Sequence, residues 1–155
     1  MCGISGTIRF DDQPVDTSAI LRMNQRLAPR GPDGQGLMAW VRLAFGHRRL
    51  KIMDLSDAAQ QPMFDPALGV GIVFNGAVYN HASLRRELEA KGYRFYSHGD
   101  TEVLLKAYHA WGEDFVSRLN GMFAFAIWER DSGRVLLGRD RLGIKPLYYA
   151  PIAGG

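Results

Sequence analysis

The sequence predicts a single α+β domain made of packed layers, and three features predict this class. Residues 81–91 and 101–111 carry apolar side chains at helical spacing, which is typical of amphipathic helices. Residues 122–128 and 134–138 are largely apolar and flank a turn at 131–133, which predicts a buried hairpin. Strand-like segments both precede and follow the helices, and this order favours an α+β fold over an alternating βαβ array.

The first third of the chain predicts a strand, a helix and a loop. Residues 2–10 place isoleucines on one face with small residues between them, so we expect a strand that starts at the N-terminus. Residues 16–27 predict a helix capped by Asp16 or Thr17. Residues 30–34 read Arg-Gly-Pro-Asp-Gly and predict a loop.

The middle of the chain predicts two strands and a tight turn. Residues 37–45 and 69–74 are β-prone, and residues 54–62 between them indicate a loop. Asn75-Gly76 follows the second strand directly. Because both residues tolerate positive φ, this dipeptide predicts a turn.

Polar and glycine residues mark the ends of the two later helices. Asn80 precedes the first of them and is expected to cap it, while Gly92 is expected to end it. Gly112 is placed to end the second helix in the same way. Both helices therefore have predicted boundaries.

Size and composition restrict the class of protein. A length of 155 residues suits one domain with its own apolar core. Hydrophobic residues make up 46% and charged residues 23%, which excludes disordered and fibrous proteins. The net charge of +3 comes from scattered bases, so we expect a solvated surface and no nucleic-acid partner.

Cysteine usage and hydropathy point to a reducing compartment. Cys2 is the only cysteine, so neither an internal disulfide nor a thiolate zinc site is available, and we predict no metal. No apolar run approaches the ~18 residues of a membrane span, and the N-terminus lacks the features of a signal peptide. We therefore expect a cytoplasmic protein without a membrane partner.

Seven segments of the chain, taken in order, match one known family. They cover residues 1–6, 30–34, 46–50, 75–80, 100–105, 121–125 and 139–149. Together they resemble the class II glutamine amidotransferase domain, the N-terminal part of glutamine-hydrolysing asparagine synthetases. Within that group the sequence is most similar to the amidotransferases associated with N-acetylglutaminylglutamine amide formation.

This resemblance implies a fold, an activity and partners. The implied fold is a four-layer α-β-β-α sandwich of antiparallel sheets, of the N-terminal-nucleophile hydrolase type, with residues 1–155 as one type 2 amidotransferase domain. The implied activity is hydrolysis of L-glutamine to L-glutamate and ammonia, which an ATP-dependent synthetase domain would consume. No cofactor is expected for this domain; ATP and Mg belong to the synthetase domain. The assembly is left open between a monomer and a homodimer.

Cys2 is the predicted nucleophile. A lone cysteine is more often an inert buried residue, but the position of this one changes that interpretation. Once Met1 is removed, the thiol shares its residue with a free α-amine, whose pKa lies far closer to neutral pH than that of a lysine. The amine can then accept the thiol proton, so that Cys2 supplies both nucleophile and base.

The remaining site residues follow from the chemistry of glutamine and from the resemblance. Acyl transfer passes through an oxyanion, for which Asn75 and Gly76 are the implied donors; their alternative role is a plain turn. Arg49 is the implied partner of the α-carboxylate and Asp100 that of the α-ammonium, with a surface charge and a helix cap as alternatives. The implied pocket is also lined by two residues that would otherwise be core: Ile52 and Met53.

Two further segments receive structural interpretations. Residues 30–34 resemble a family segment near the pocket mouth, which we interpret as a lid that excludes water. In residues 139–146, Asp140 stands between two arginines and predicts an internal ion pair in a turn. We expect no catalytic role for the second segment.

The chain departs from the family pattern in two places. Ala77 stands where the family usually has a glutamate, which removes one carboxylate expected near the substrate ammonium. The chain also stops at Gly155, before the end of the family's domain and before the synthetase domain. We therefore expect no ATP-dependent activation of a carboxylate by this chain itself.

Two alternatives to a glutaminase stay open at this point. One is a non-catalytic glutamine-binding or interaction module, which the loss of the carboxylate at Ala77 would suit. The other is a related N-terminal-cysteine amidohydrolase that acts on another amide. The Arg49 and Asp100 pair argues against the second alternative, because it fits a free amino acid.

Overall fold

Seven strands and three α-helices make up a computed structural model that describes all 155 residues. The strands are β1 (Gly3–Ile8), β2 (Gly34–Trp40), β3 (Leu43–Arg49), β4 (Met63–Asp65), β5 (Val70–Val78), β6 (Gly121–Glu129) and β7 (Val135–Arg139). The helices are α1 (Thr17–Leu27), α2 (His81–Ala90) and α3 (Asp100–Trp111). No helix is both long and apolar enough to cross a membrane.

The strands form two antiparallel sheets that pack face to face. One sheet has the order β1-β3-β2 and the other the order β4-β5-β6-β7. Leu43 and Phe45 from the first sheet meet Val73, Ala126 and Trp128 from the second in an apolar core between the sheets. Alternate side chains of a strand point to opposite faces, so the next residues along β5 and β6 face the other way.

Helices cover the outer faces of both sheets. Helix α1 packs on the first sheet, where Ile20 is fully buried and Asn24 donates to the Gly36 carbonyl at 3.0 Å. Helices α2 and α3 cover the second sheet with a larger core that includes Ile72, Phe74 and Leu104. The order helix, sheet, sheet, helices confirms the expected four-layer sandwich.

Several local predictions are confirmed. Asp16 caps α1, because its carboxylate accepts the Ser18 N–H at 2.9 Å. Gly92 and Gly112 follow α2 and α3 with φ values of 94° and 59°, which a residue with a Cβ rarely adopts. The predicted hairpin is present as the antiparallel pair β6 and β7.

Three predictions about strands are wrong. Residues 37–45 do not form one strand, because β2 and β3 are joined by a turn at Val41 and Arg42. Strand β4 (Met63–Asp65) directly follows the predicted loop of residues 54–62, in a stretch where no strand was expected. Asn75-Gly76 is not a turn but lies inside β5, where Asn75 pairs with Ala124 and Gly76 with Phe123.

The physical reason for the glycine at position 76 is a close approach of two strands. A Cβ added at Gly76 would lie 2.2 Å from the Met122 carbonyl oxygen and 2.7 Å from the Phe123 Cα. Gly76 therefore allows β5 and β6 to pair closely without needing a positive φ. The glycine of Asn75-Gly76 is thus required by the close packing of β5 against β6, and not by the geometry of a turn.

Two side-chain predictions also need correction. Asn80 precedes α2 but makes no cap; it accepts the Asn120 N–H at 2.9 Å and donates to the Arg118 carbonyl at 2.9 Å. Asp140 forms no ion pair with the arginines beside it in sequence. Its carboxylate instead accepts backbone N–H groups from Phe123, Ile144 and Lys145, which keep its pKa low although burial alone would raise it.

Candidate functional site

Strand alternation directs the predicted site residues into the space between the two sheets. On β3, Arg49 follows Phe45 at intervals of two, so it shares the face that carries the inter-sheet core. On β5, Asn75 and Ala77 follow Val73 in the same way. Cys2 lies two residues before Ile4, which also packs against that core. One end of the inter-sheet space is therefore polar.

Cys2 lies at the start of β1, against the end of β3. The Leu50 N–H donates to the Cys2 Sγ at 3.4 Å, and the Sγ lies 3.7 Å from the Leu50 carbonyl oxygen. The side chain is half-buried and unpaired with any other cysteine. Met1 is 52% exposed and precedes it, so the α-amine of the full chain belongs to Met1 rather than to Cys2.

Arg49 is a buried cation held by carbonyl groups. It is only 4% exposed, and its guanidinium donates to the Ser56 carbonyl at 2.8 Å and to the Asp54 carbonyl. No carboxylate lies within 4.0 Å of its nitrogens. Because a buried charge is stable only with hydrogen-bonding partners, this arrangement fixes the guanidinium while leaving its charge available to an anion.

Asp54 connects the Arg49 loop to the segment that precedes α3. Its carboxylate accepts the Ser56 N–H at 2.8 Å and the His98 N–H at 2.7 Å. Burial alone would raise the pKa of Asp54, but the hydrogen bonds from Ser56 and His98, together with the Arg49 charge, lower it to about 2. Asp54 is therefore ionised and holds two loops together.

Asp100 is the first residue of α3 and faces strand β5. It is 4% exposed, and its Oδ2 accepts the Val78 N–H at 2.9 Å while its Oδ1 accepts no hydrogen bond from another side chain. Burial raises the pKa of Asp100, and the Val78 N–H and the charge of His81 oppose that effect only in part. A cation next to the free oxygen would stabilise the charged form.

Asn75 and Gly76 lie on β5 two and three residues before Val78. The Asn75 side chain is 6% exposed and makes no hydrogen bond to another residue of the chain. His47 on β3 reaches across the inter-sheet space, with its Nε2 3.3 Å from the Phe74 carbonyl oxygen. This contact fixes the distance between the two sheets immediately beside Asn75.

Hydrogen bonds and short stretches of chain together link these residues in a ring. From Cys2 the ring passes through Leu50 to Arg49, and from Arg49 through Asp54 to His98. His98 lies two residues before Asp100, which binds the strand that carries Asn75 and Gly76, and His47 leads back to the first sheet. The structure thus places Cys2, Arg49, Asp100, Asn75 and Gly76 around the same end of the inter-sheet space.

Ile52 and Met53 follow Arg49 on the surface of this region. Their exposed fractions are 69% and 42%, so the alternative that they are core residues is wrong. The segment 30–34 also lies nearby: the Arg30 Nε is 3.5 Å from the Cys2 carbonyl oxygen, and Pro32 forms a bridge with Arg49. Its role as a lid stays a prediction.

Three buried polar residues at this end were not predicted from the sequence: His47, Asp54 and Gln61. For two of them the sequence contains a feature that indicates a buried or structural role. His47 alternates with Phe45 and Arg49 on the inward face of a β-prone segment, and Asp54-x-Ser56 has the spacing of a local side-chain to backbone turn. Gln61 contacts β5 from a loop, and nothing in its sequence position indicates that.

Comparisons with known proteins agree on one family. A family model described as a glutamine amidotransferase domain matches residues 1–155. Asparagine synthetase [glutamine-hydrolyzing] 3 of Bacillus subtilis is 42% identical over 152 residues, which are 96% of this chain and 25% of that protein. Asparagine synthetase [glutamine-hydrolyzing] 3 of Arabidopsis thaliana is 36% identical over 149 residues, again 96% of this chain and 25% of that protein.

A solved structure supports the fold. Glutamine phosphoribosylpyrophosphate amidotransferase from B. subtilis superposes with a TM-score of 0.55 and 19% sequence identity, over 88% of this chain and 31% of that one. This likeness shows the fold, a sandwich of two antiparallel sheets with helices on its outer faces. The chain spans about a quarter of the length of the two synthetases compared above.

Proposed function

Because the chain belongs to the glutamine amidotransferase domain family, we propose that it hydrolyses L-glutamine to L-glutamate and ammonia through a thioester on Cys2. The proposal rests on the ring of hydrogen bonds and short chain segments that links Cys2 to Arg49 and Asp100. This ring joins a half-buried thiol to a buried cation without a carboxylate partner and to a buried carboxylate with a free oxygen. That set matches the reactive and charged groups of a free amino acid that carries an amide.

Arg49 and Asp100 would bind the two charged ends of glutamine. The guanidinium of Arg49 keeps free N–H donors after bonding to two carbonyls, and a carboxylate is the ligand that such a fork prefers. Asp100 would accept the α-ammonium through its free oxygen. The ammonium would offset the burial that raises the pKa of Asp100, so substrate binding would favour the ionised carboxylate.

Acylation would begin with proton transfer within Cys2. Its α-amine takes the thiol proton, and the sulfur attacks the γ-carbonyl carbon of glutamine to form a tetrahedral oxyanion. The Asn75 amide, which has no partner in the chain, and the Gly76 N–H would donate to that oxygen. The intermediate then collapses as the ammonium returns its proton to the leaving nitrogen, which departs as ammonia.

Hydrolysis of the thioester would complete the cycle. Water adds to the thioester carbonyl with the same amine as base, a second oxyanion forms at the same donors, and glutamate leaves as the thiol is restored. Arg30 lies beside the Cys2 carbonyl, and segment 30–34, to which it belongs, would limit access of bulk water. Removal of Met1 is a requirement of this mechanism, because an amide nitrogen cannot serve as the base.

The ammonia would be consumed in a second reaction. The relatives at 36–42% identity are named glutamine-hydrolysing asparagine synthetases, and the chain covers a quarter of their length. We propose that the ammonia supplies an ATP-dependent amidation in a synthetase domain, where ATP and Mg would be needed. The carboxylate that accepts the ammonia stays open, as does the narrower assignment to N-acetylglutaminylglutamine amide formation.

A second candidate function rests on Ala77. This residue faces the inter-sheet space at the site but offers no carboxylate to an ammonium. A domain that binds glutamine without turning it over would fit that loss. Measured binding of glutamine without release of ammonia would favour this candidate.

The experiment is an ammonia-release assay on the chain that begins at Cys2, with glutamine as substrate. We expect turnover in the wild type and none in Cys2→Ala. Arg49→Lys should raise KM for glutamine roughly 10- to 100-fold, because a single ammonium replaces a fork that binds two oxygens. Arg42→Lys is the matched control: Arg42 donates to the exposed Asp12 carboxylate at the turn between β2 and β3 and should leave KM within about 2-fold.

The assay separates the candidates clearly. Equal, background rates in the wild type and in Cys2→Ala would overturn the glutaminase proposal. If the two arginine substitutions changed KM equally, Arg49 would not be a substrate-binding residue. A panel of other amides decides whether free glutamine is the preferred substrate.

A further inference from the structure

Beyond Ile72, the outer edge of β5 has no neighbouring strand. Strand β4 pairs with β5 only from Val70 to Ile72, whereas β6 pairs with it along its whole length. In an antiparallel ladder, alternate residues direct their N–H groups toward the partner strand and away from it. The N–H groups of Phe74, Gly76 and Val78 therefore share the unpaired edge of β5.

Side chains accept two of these three N–H groups. The Phe74 N–H donates to the Gln61 Oε1 at 2.6 Å, and the Val78 N–H donates to the Asp100 Oδ2 at 2.9 Å. No side chain and no loop carbonyl accepts the Gly76 N–H between them. Hydrogen bonds thus hold the edge of β5 on both sides of the Gly76 N–H, which itself has no acceptor.

Gln61 takes the place of a strand at this edge. It is 5% exposed, and its amide nitrogen donates to the Thr101 Oγ1 at 3.1 Å. Thr101 and Asp100 are adjacent in the first turn of α3, so both acceptors that flank Gly76 are anchored to the same turn. His47 adds a third contact, at the Phe74 carbonyl.

We propose that Gln61 is a positioning residue for glutamine hydrolysis, which holds β5 so that the Gly76 N–H stays free and aimed at the developing oxyanion; this rests on the proposed function. Gln61 touches neither substrate nor thiol. It acts through the Phe74 N–H, two residues from the donor. An oxyanion donor stabilises the transition state only where it is fixed in advance, so loosening the strand lowers kcat more than it changes KM.

The test compares Gln61→Met with Gln61→Glu in the chain that begins at Cys2. Methionine keeps the size but accepts no hydrogen bond from Phe74, whereas glutamate keeps two acceptor oxygens for Phe74 and Thr101. We expect kcat to fall at least ~10-fold in Gln61→Met with KM within about 2-fold, and glutamate to restore most of the loss. Gln60→Met is the matched control, since Gln60 bonds to the Gln35 carbonyl away from β5 and should leave kcat unchanged.

A second readout reports on the oxyanion itself. The γ-aldehyde analogue of glutamine forms a tetrahedral adduct with a thiol, so its inhibition constant should rise in proportion to the loss of kcat. Alkylation of Cys2 by iodoacetamide needs no oxyanion donor and should proceed at the wild-type rate. If Gln61 were only structural, Gln61→Met would change both the inhibition constant of the aldehyde and the alkylation rate of Cys2, or neither.

Several results would overturn the proposal. A folded Gln61→Met variant with kcat within 2-fold of the wild type would do so, as would equal losses in Gln61→Met and Gln60→Met. If Gln61→Met does not fold, Thr101→Val decides, because it releases only the far end of Gln61; an unchanged kcat there contradicts the inference. A wild type without any turnover instead overturns the proposed function, and the inference falls with it.

Discussion

His47 makes the stability of this fold sensitive to mild acid. Burial lowers the pKa of His47 from 6.5 to about 4, and the Arg49 charge on the same strand face adds to that effect, while the hydrogen bond with the Phe74 carbonyl opposes it. The Nδ1 atom has no hydrogen-bond partner, so a proton bound there would create a buried cation without an acceptor. The folded chain therefore keeps His47 neutral.

The sign and size of the effect follow from proton linkage. Between pH 6.5 and about pH 4 the unfolded chain binds a proton that the folded chain does not, so the free energy of unfolding falls as the pH falls. At 1.36 kcal/mol per pH unit, the pKa values of 6.5 and about 4 correspond to a loss of about 2 kcal/mol between pH 7.5 and pH 5. The loss reaches about 3 kcal/mol near pH 4 and is complete only below the folded pKa.

Urea unfolding at several pH values between 7.5 and 5 measures this loss directly. For a slope of ~2 kcal/mol per molar urea, the midpoint of the wild type should fall by about 1 M more than that of His47→Gln. Glutamine can still donate to the Phe74 carbonyl but does not titrate, and the other histidines are present in both chains. Midpoints that fall in parallel within about 0.25 M would refute the assignment to His47.

Three further outcomes are expected. Gly76→Ala should destabilise the chain by at least ~2 kcal/mol in urea unfolding, because its Cβ would lie 2.2 Å from a carbonyl of the neighbouring strand; Gly34→Ala, with 3.4 Å to its nearest atom, should cost less than ~1 kcal/mol. Glu102→Gln should cost roughly 3 kcal/mol in the same assay, since it removes the nearest anion from the buried Lys106 ammonium and leaves it only the Arg94 carbonyl and the Asp65 carboxylate at 3.9 Å; a loss below ~1 kcal/mol would contradict this. Ala77→Glu should lower KM for glutamine about 10-fold while Ala77→Gln does not, because only a carboxylate attracts the α-ammonium; equal KM values would contradict that reason.

The fold was predictable where a segment carries its own periodicity. Helices α1, α2 and α3 lie within a residue or two of their predicted bounds, because their apolar spacing and terminal residues act locally. The β2 and β3 boundary was missed because Val41 and Arg42 form a turn without glycine, asparagine or proline. Strand β4 is only three residues long, which is too short for any alternation to be visible.

The candidate site was predictable from the sequence only in part. Residue chemistry and resemblance predicted five site residues, and the structure brings them to one end of the inter-sheet space: Cys2, Arg49, Asn75, Gly76 and Asp100. The groups that hold them could not be found in that way. Asp54 acts on a segment 44 residues away and Gln61 on one 40 residues away, and such pairings depend on tertiary contacts that no local pattern contains.

The most direct measurement is the intact mass of the chain before and after treatment with a glutamine analogue whose amide is replaced by a diazoketone. We expect a chain that begins at Cys2 and gains one equivalent of the analogue on that residue. Cys2→Ala should gain none, and excess glutamine should protect the wild type. A chain that retains Met1 and still releases ammonia, or labelling that does not depend on Cys2, would contradict a mechanism in which the terminal thiol and its own amine carry the reaction.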